Sequence, residues 1–233
     1  MALIVFSAPD RCGKTILSKK FCERLNKDYA TTGVNYPSFW SNIPSCFGTT
    51  LNNISRSYLG PFVWTKEPLF TTEEADRLNT FSGPEHQLER ELLFYESRLN
   101  HQEFLEQHNV VCDRYLWCGM AYAKVFSPKC YETYKRLYMN KRFFIQPDLY
   151  IYVNAHIDTV MKRDPSLNRD TILELWKAYE TVYDDIEESK IPIITINNEP
   201  RSEDKEESIN IVLDELMTKF NAHLRLVSSS VKG

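Results

Sequence analysis

Glycine is scarce: 7 of 233 residues, about half the roughly 7% of average usage. The glycines stand at positions 13, 33, 48, 60, 83, 119 and 233, so no G-x-G-x-x-G can be written. That excludes the dinucleotide-binding fingerprint, and collagen-like and glycine-linker compositions go with it. Six cysteines (12, 22, 46, 112, 118 and 130) form no C-x-x-C pair and no Cys/His cluster at zinc spacing. They read as reduced core thiols, not as a metal centre or redox motif. Long hydrophobic runs are missing too. Met1-Ala2-Leu3-Ile4-Val5-Phe6 is too short for a signal peptide, and nothing approaches about 18 consecutive apolar residues. The expectation is a soluble, intracellular, cytoplasmic protein with no membrane partner. Nor is positive charge in excess: a net charge of −4 offers no global field for nucleic acid, so any phosphate binding must be local.

What is present is an alternation of short apolar runs and longer helical periodicity, with 42% hydrophobic residues to fill a core. Leu3–Ser7, Val110–Asp113, Leu149–Val153 and Ile193–Ile196 read as strands covered on both faces, and Thr31–Tyr36 as a weaker fifth. Helices are expected over Lys14–Asp28, Pro84–Gln107, Leu116–Phe126, Ala155–Arg163, Asp170–Glu188 and Asp204–Phe220. The pattern predicts a single α/β domain over residues 1–233, a doubly wound five-stranded parallel sheet. Residues 37–84, rich in proline, serine and asparagine, read as an irregular substrate-side excursion or insertion. The acidic runs 184–188 and 203–207 read as solvated faces.

The strongest chemical signal is Ser7-Ala8-Pro9-Asp10-Arg11-Cys12-Gly13-Lys14-Thr15, between the first strand and the first helix. It resembles a P-loop, in which backbone N–H groups and a helix N-terminus face phosphate, Lys adds a charge and a hydroxyl ligates Mg²⁺. Arg11, Cys12, Gly13, Lys14 and Thr15 fit a cradle for ATP phosphates. Ala8 stands where the motif has its first glycine, and Pro9 brings no N–H. The alternative is a helix N-terminus with a solvent-facing lysine. Mg²⁺ on phosphates calls for a nearby carboxylate, and Asp113 ends a buried strand; its alternative role is an ion pair with Arg114. Farther on, Leu88, Leu92, Tyr95 and Leu99 recur at helical spacing as the expected core face. Phe94 and Arg98, four residues apart, then project together away from it. A planar base can stack on Phe94 while Arg98 donates to its carbonyl edge; the alternative is a core ring and a surface charge.

Together, Asp10-Arg11-x-Gly13-Lys14-Thr15, Leu92-Leu93-Phe94 with Arg98, Asp113-Arg114-Tyr115, Gly119-Met120-Ala121-Tyr122 and Gln146-Pro147-Asp148-Leu149 resemble thymidylate kinases of the eukaryotic and poxviral kind. The resemblance implies a P-loop kinase fold that moves the γ-phosphoryl of ATP, with Mg²⁺, to dTMP, and a homodimer. It implies thymine on Phe94 and Arg98, Arg114 on the monophosphate, Tyr122 and Gly119 beside the deoxyribose, and Asp10 near the acceptor. It gives Arg11 to the transferring phosphoryl group, which makes Arg11 and Lys14 the expected catalytic residues, with Thr15 and Asp113 at the metal. Arg163–Arg169 is the expected lid, short and without tyrosine, whose Arg163 and Arg169 would touch ATP; residues 197–201 fall where an adenine loop is expected. For the family's phosphate-contacting arginine after strand two, the chain offers Asn35-Tyr36-Pro37-Ser38-Phe39, better spaced but without Arg, and Thr65-Lys66-Glu67-Pro68, with Lys; if the first is the match, the cation comes from Arg56, from Lys66 or from nowhere. Other readings are a kinase for another deoxynucleotide or a nucleoside, and a kinase-like fold that binds without catalysis.

Overall fold

A computed structural model describes residues 2–32, 61–81 and 84–230. In chain order these form β1 (Leu3–Ser7), α1 (Lys14–Thr32), β2 (Phe62–Lys66), α2 (Thr72–Thr80), α3 (Gln87–Asn100), α4 (Gln102–Gln107), β3 (Asn109–Asp113), α5 (Leu116–Phe126) and α6 (Tyr131–Tyr138). β4 (Leu149–Asn154), α7 (Ile157–Arg163), α8 (Arg169–Glu188), β5 (Ile193–Asn197) and α9 (Lys205–Ser230) complete them. The strands make one five-stranded sheet in the order β2-β3-β1-β4-β5, and every pairing is parallel. The sheet is doubly wound: β1 lies in the middle, with β2 and β3 to one side and β4 and β5 to the other. The switch point at the carboxyl end of β1 opens the crevice where such sheets bind ligands.

Alternation along β1 sorts its side chains between two cores. Ile4 and Phe6 pack with Leu17, Phe21 and Phe220 on the face covered by α1 and α9; the Phe6–Phe21 and Phe21–Phe220 rings meet edge to face, 5.5 and 5.2 Å apart. Leu3 and Val5 face the other core with Val110, Cys112, Trp117 and Tyr179. There Trp117 packs against Tyr150, Tyr152, Tyr179 and Tyr183 at 5.1–5.9 Å. α5, Leu-Trp-Cys-Gly-Met-Ala-Tyr-Ala-Lys-Val-Phe, is apolar nearly all round and accordingly buried over most of its length.

Four expectations are corrected. The fifth strand is Phe62–Lys66, not Thr31–Tyr36: Thr31 and Thr32 end α1, and residues 33–36 lie outside the described residues. The excursion 37–84 is not irregular where it is described, because residues 61–81 hold β2 and α2. α2 opens on a capping box in which Thr71 Oγ1 accepts from Glu74 N and Thr71 N donates to Glu74 Oε2. The helix α6 was not expected; its Tyr131, Tyr134 and Tyr138 form a buried stripe. Last, the apolar stripe of α3 does not face the core. Leu88, Leu92 and Leu99 are 50, 52 and 39% exposed, while Glu91, Leu93, Ser97 and Arg98 are buried. The helix turns its charged face inward because Arg98 finds partners there and Ser97 Oγ donates to Leu69 O at 2.8 Å. Arg56 and Asn35–Phe39 lie outside the described residues. Among the described residues, no helix is long and apolar enough to cross a membrane.

α1 holds the backbone of the edge strand β2 through Asn26, whose Nδ2 donates to Phe62 O at 2.9 Å and whose Oδ1 accepts from Phe62 N at 2.8 Å, and Ser18 Oγ accepts from Trp64 Nε1 at 2.9 Å. Asn26→Ala removes both bonds and is expected to cost about 1–3 kcal/mol, read as a lowered urea midpoint with an unchanged slope.

Candidate active site

The loop between β1 and α1 wraps the end of the central strand. Its left-handed residues are Arg11 (φ 62) and Gly13 (φ 89), and Ala8 is not among them. The position where the motif has its first glycine therefore does not use glycine's conformational freedom here. Gly13 does, and it also has no room for a side chain: a Cβ would lie 2.2 Å from Asn198 Nδ2. Lys14, buried at the start of α1, donates to Pro9 O at 3.3 Å and lies 3.6 Å from Asp10 Oδ1. Burial, with the Arg114 charge adding to it, pushes the Lys14 pKa below the usual lysine value.

β3 delivers Asp113 beside this loop, with Phe6 and Asp113 in register. Asp113 is fully buried. Its Oδ2 accepts from Thr15 Oγ1 at 2.5 Å, and its Oδ1 has no hydrogen-bond partner. Arg114 follows in the left-handed region (φ 72), its N–H donating to Phe6 O at 2.9 Å. That turn swings its guanidinium to Asp10 Oδ1 and over the Tyr122 ring, 5.6 Å from the centroid. The Tyr122 hydroxyl donates to Asp10 Oδ2 at 2.5 Å. Burial alone would raise the Asp10 pKa; Arg114, Lys14 and the Tyr122 hydroxyl outweigh it and hold it down at about 2. Asp10, Lys14, Thr15, Asp113, Arg114 and Tyr122 thus form one constellation.

Arg98 is buried beside it, donating through Nη1 to Phe94 O at 3.2 Å and Tyr138 Oη at 3.0 Å. Its Nε has no partner. Burial works against its charge, and Tyr138, Glu67, Cys118 and Glu91 more than offset that, so its pKa is raised. Gly119 lets it in: a Cβ there would stand 3.1 Å from the Tyr138 ring and 3.2 Å from Arg98 Nη1. Gly119 therefore lies against the arginine expected at the base. Phe94 is half-buried, its ring 5.5 Å from that of Phe70.

At the lid, Arg163 Nη1 donates to Arg11 O at 3.0 Å and Nη2 to Asn198 O at 2.7 Å. The Arg11 side chain, 59% exposed, pairs with Asp164 at 2.7 Å. Arg169 is not brought to the loop: its guanidinium donates to Asp158 Oδ1 at 2.9 Å. The five residues between α7 and α8 are ordered by Asp164, which accepts from Ser166, and by Asn168, which caps α8. Lys66 ends β2 beside Asp113 and is exposed.

Several residues of the site were not singled out in the sequence, and Asn198, expected only within an adenine loop over residues 197–201, is bonded to the phosphate loop. Glu67 is fully buried and paired with His101 Nδ1, its Oε2 without a partner. Tyr138 holds Arg98, while Tyr179 and Asn198 bond the loop itself. For Glu67 a signal was available, a charged Lys-Glu pair ending an apolar run before Pro68. The others sit on elements whose spacing carries no mark of the contact.

A parallel sheet with this loop on its central strand, a buried lysine and hydroxyl opening the first helix, and an acid on the neighbouring strand define a P-loop kinase. Comparison with known proteins narrows the class. The chain belongs to the thymidylate kinase family, whose model ("Thymidylate kinase") matches residues 49–209. It is 30% identical over 194 residues to a probable thymidylate kinase of Picrophilus torridus, covering 76% of this chain and 91% of that protein. It is 26% identical over 211 residues to a probable thymidylate kinase of Methanocaldococcus jannaschii, covering 84% and 92%. Among solved structures, it resembles thymidylate kinases of Candida albicans (TM-score 0.64, 14% identity, 95% and 92% covered) and Ehrlichia chaffeensis (0.58, 18%, 94% and 98%). A deoxyadenosine kinase of M. mycoides is similar in fold (0.61, 14%, 94% and 99%). The family is a family of phosphotransferases, and its function is the phosphorylation of dTMP by ATP.

The Asp10 environment makes a pH prediction. Its folded pKa of about 2 lies below the usual 3.8, so its contribution to stability is present above about pH 4 and is lost as pH falls toward about 2. Allowing for solvent around a side chain 35% exposed, that contribution is about 1–2 kcal/mol. Asp10→Asn is expected to be less stable than the parent at pH 7, with the gap between the two urea midpoints narrowing as pH falls from about 4.

Proposed function

We propose that the chain transfers the γ-phosphoryl of ATP to dTMP, giving dTDP and ADP. The observation that carries this reading is Arg114, pinned by Asp10 and Tyr122 beside Lys14: a half-buried cation next to the loop suits an acceptor that already bears phosphate. Arg11, Cys12, Gly13, Lys14 and Thr15 bind the ATP phosphates, with Arg163 closing the loop from the lid; Arg169 would have to leave Asp158 to join it. Phe94 and Arg98 take the thymine, stacking on its face and donating to its carbonyl edge. Tyr122 lies at the sugar, where a ring leaves no room for a 2′-hydroxyl, and Gly119 keeps Arg98 in place.

Phosphoryl transfer demands positioned charge more than covalent help. Lys14 supplies a fixed cation at the loop, and Arg11 reaches the transferring group by exchanging Asp164 for a phosphate oxygen. Thr15 and Asp113 fit Mg²⁺: a hydroxyl and a buried carboxylate with an unpartnered oxygen are hard donors side by side. Bound there, the ion supplies further positive charge for the phosphates. A nucleoside acceptor would instead need a carboxylate to take the proton of its hydroxyl. Here Arg114 follows Asp113 directly and brings a cation beside the acid, which suits an acceptor already carrying phosphate.

The test is ADP release with dTMP, dUMP, dGMP and thymidine compared. Turnover is expected to be highest with dTMP, and none with any monophosphate would overturn the reading. Arg98→Ala is expected to raise the KM for dTMP roughly tenfold or more, whereas Lys14→Ala lowers kcat by about two orders of magnitude.

We also infer a homodimer that covers the outward stripe of α3. Exposed leucines at 88, 92 and 99 on one helical face support it. Light scattering on a sizing column should give twice the chain mass, and Leu92→Glu should shift it to the monomer. The free thiols, four of the five described being buried, support a reducing compartment such as the cytoplasm.

A further inference from the structure

An anion-binding loop must turn its N–H groups inward, which obliges its carbonyl groups to point out. Here the outward carbonyls have donors from elements far along the chain. The Tyr179 hydroxyl, on α8 and fully buried, donates to Ala8 O at 2.8 Å. The Asn198 side-chain amide, just past β5 and buried, donates to Cys12 O at 2.7 Å. Both donors are fixed by their own surroundings. Tyr179 stacks in the cluster around Trp117, whose Nε1 donates to Tyr179 O at 3.3 Å. Asn198 N donates to Asn154 O at 2.8 Å, while Asn198 O accepts from Arg163. The two bonds bracket the stretch in which Ala8 replaces glycine and Pro9 has no N–H to offer.

We infer that Tyr179 and Asn198 are positioning residues for the phosphate loop: by holding the carbonyls of Ala8 and Cys12 outward, they keep the remaining N–H groups aimed at the triphosphate. Both side-chain bonds are made to the phosphate loop itself, so their effect is expected at the phosphate end of the donor. The inference rests on the reading of this loop as the ATP site.

The experiment is calorimetric titration of the full chain and of Tyr179→Phe and Asn198→Ala with ATP, inorganic tripolyphosphate and dTMP. Each variant is expected to raise the Kd for ATP and for tripolyphosphate by a similar factor, roughly tenfold for a lost buried hydrogen bond. The Kd for dTMP should stay within about twofold. Tripolyphosphate binding unchanged in both variants overturns the inference, and so does a loss of dTMP affinity as large as that of ATP, which marks general loosening. Should one variant fail to fold, the other decides, since the two donors act on different carbonyls. Parent protein that binds neither ATP nor tripolyphosphate overturns the reading of the site together with the inference; parent binding with unaffected variants overturns the inference alone.

Discussion

The Asp10 carboxylate separates two cations that would otherwise repel each other. Lys14 and Arg114 both converge on the end of β1, and the Arg114 charge is one of the influences that weaken Lys14's hold on its proton. Asp10 lies 3.6 Å from one and is bonded to the other, and its charge opposes the loss of the Lys14 proton. The same arrangement recurs outward from this point. Arg11 is kept by Asp164, and Arg98 by Tyr138 with Glu67 and Glu91 near it. A chain of net charge −4 thereby stores a set of cations around one crevice. Pairing of this kind avoids leaving a charge buried and unpaired, which is the expensive event in a protein interior.

Rigidity follows from the same pairing. Arg98 packs closely against α5 at Gly119, where a Cβ would stand 3.2 Å from its Nη1, and Tyr138 takes one edge of the guanidinium. Glu67, at the end of β2, and His101, between α3 and α4, brace the floor below. Arg98, Glu67 and His101 are thus held by partners from helix and strand, and side chains fixed in this way lose little ordering entropy in any further contact.

Four of the five strands were legible as apolar runs, and the loop as Gly13-Lys14-Thr15 between a strand and a helix. Asp113-Arg114 and Phe94 with Arg98 were legible through resemblance and through spacing. The rest was hidden for physical reasons. Periodicity located the two faces of α3 but reversed them: leucines normally mark the buried side, and here an arginine with enough partners took it. β2 is a short edge strand beside residues rich in proline, so its run carried little weight against Thr31–Tyr36. The capping box at Thr71 and the tyrosine stripe of α6 were readable locally and were passed over. Tyr179 and Asn198 are different. Their bonds to the loop span 171 and 186 residues of chain, and no local pattern announces a contact at that range.

That range sets an order of events during synthesis. Tyr179 and Asn198 follow their partners Ala8 and Cys12 by 171 and 186 residues, so both donors are made long after the loop. A growing chain that has completed β1 and α1 holds every residue of the phosphate motif without these two hydrogen bonds. The loop's carbonyl partners are complete only once synthesis has passed β5.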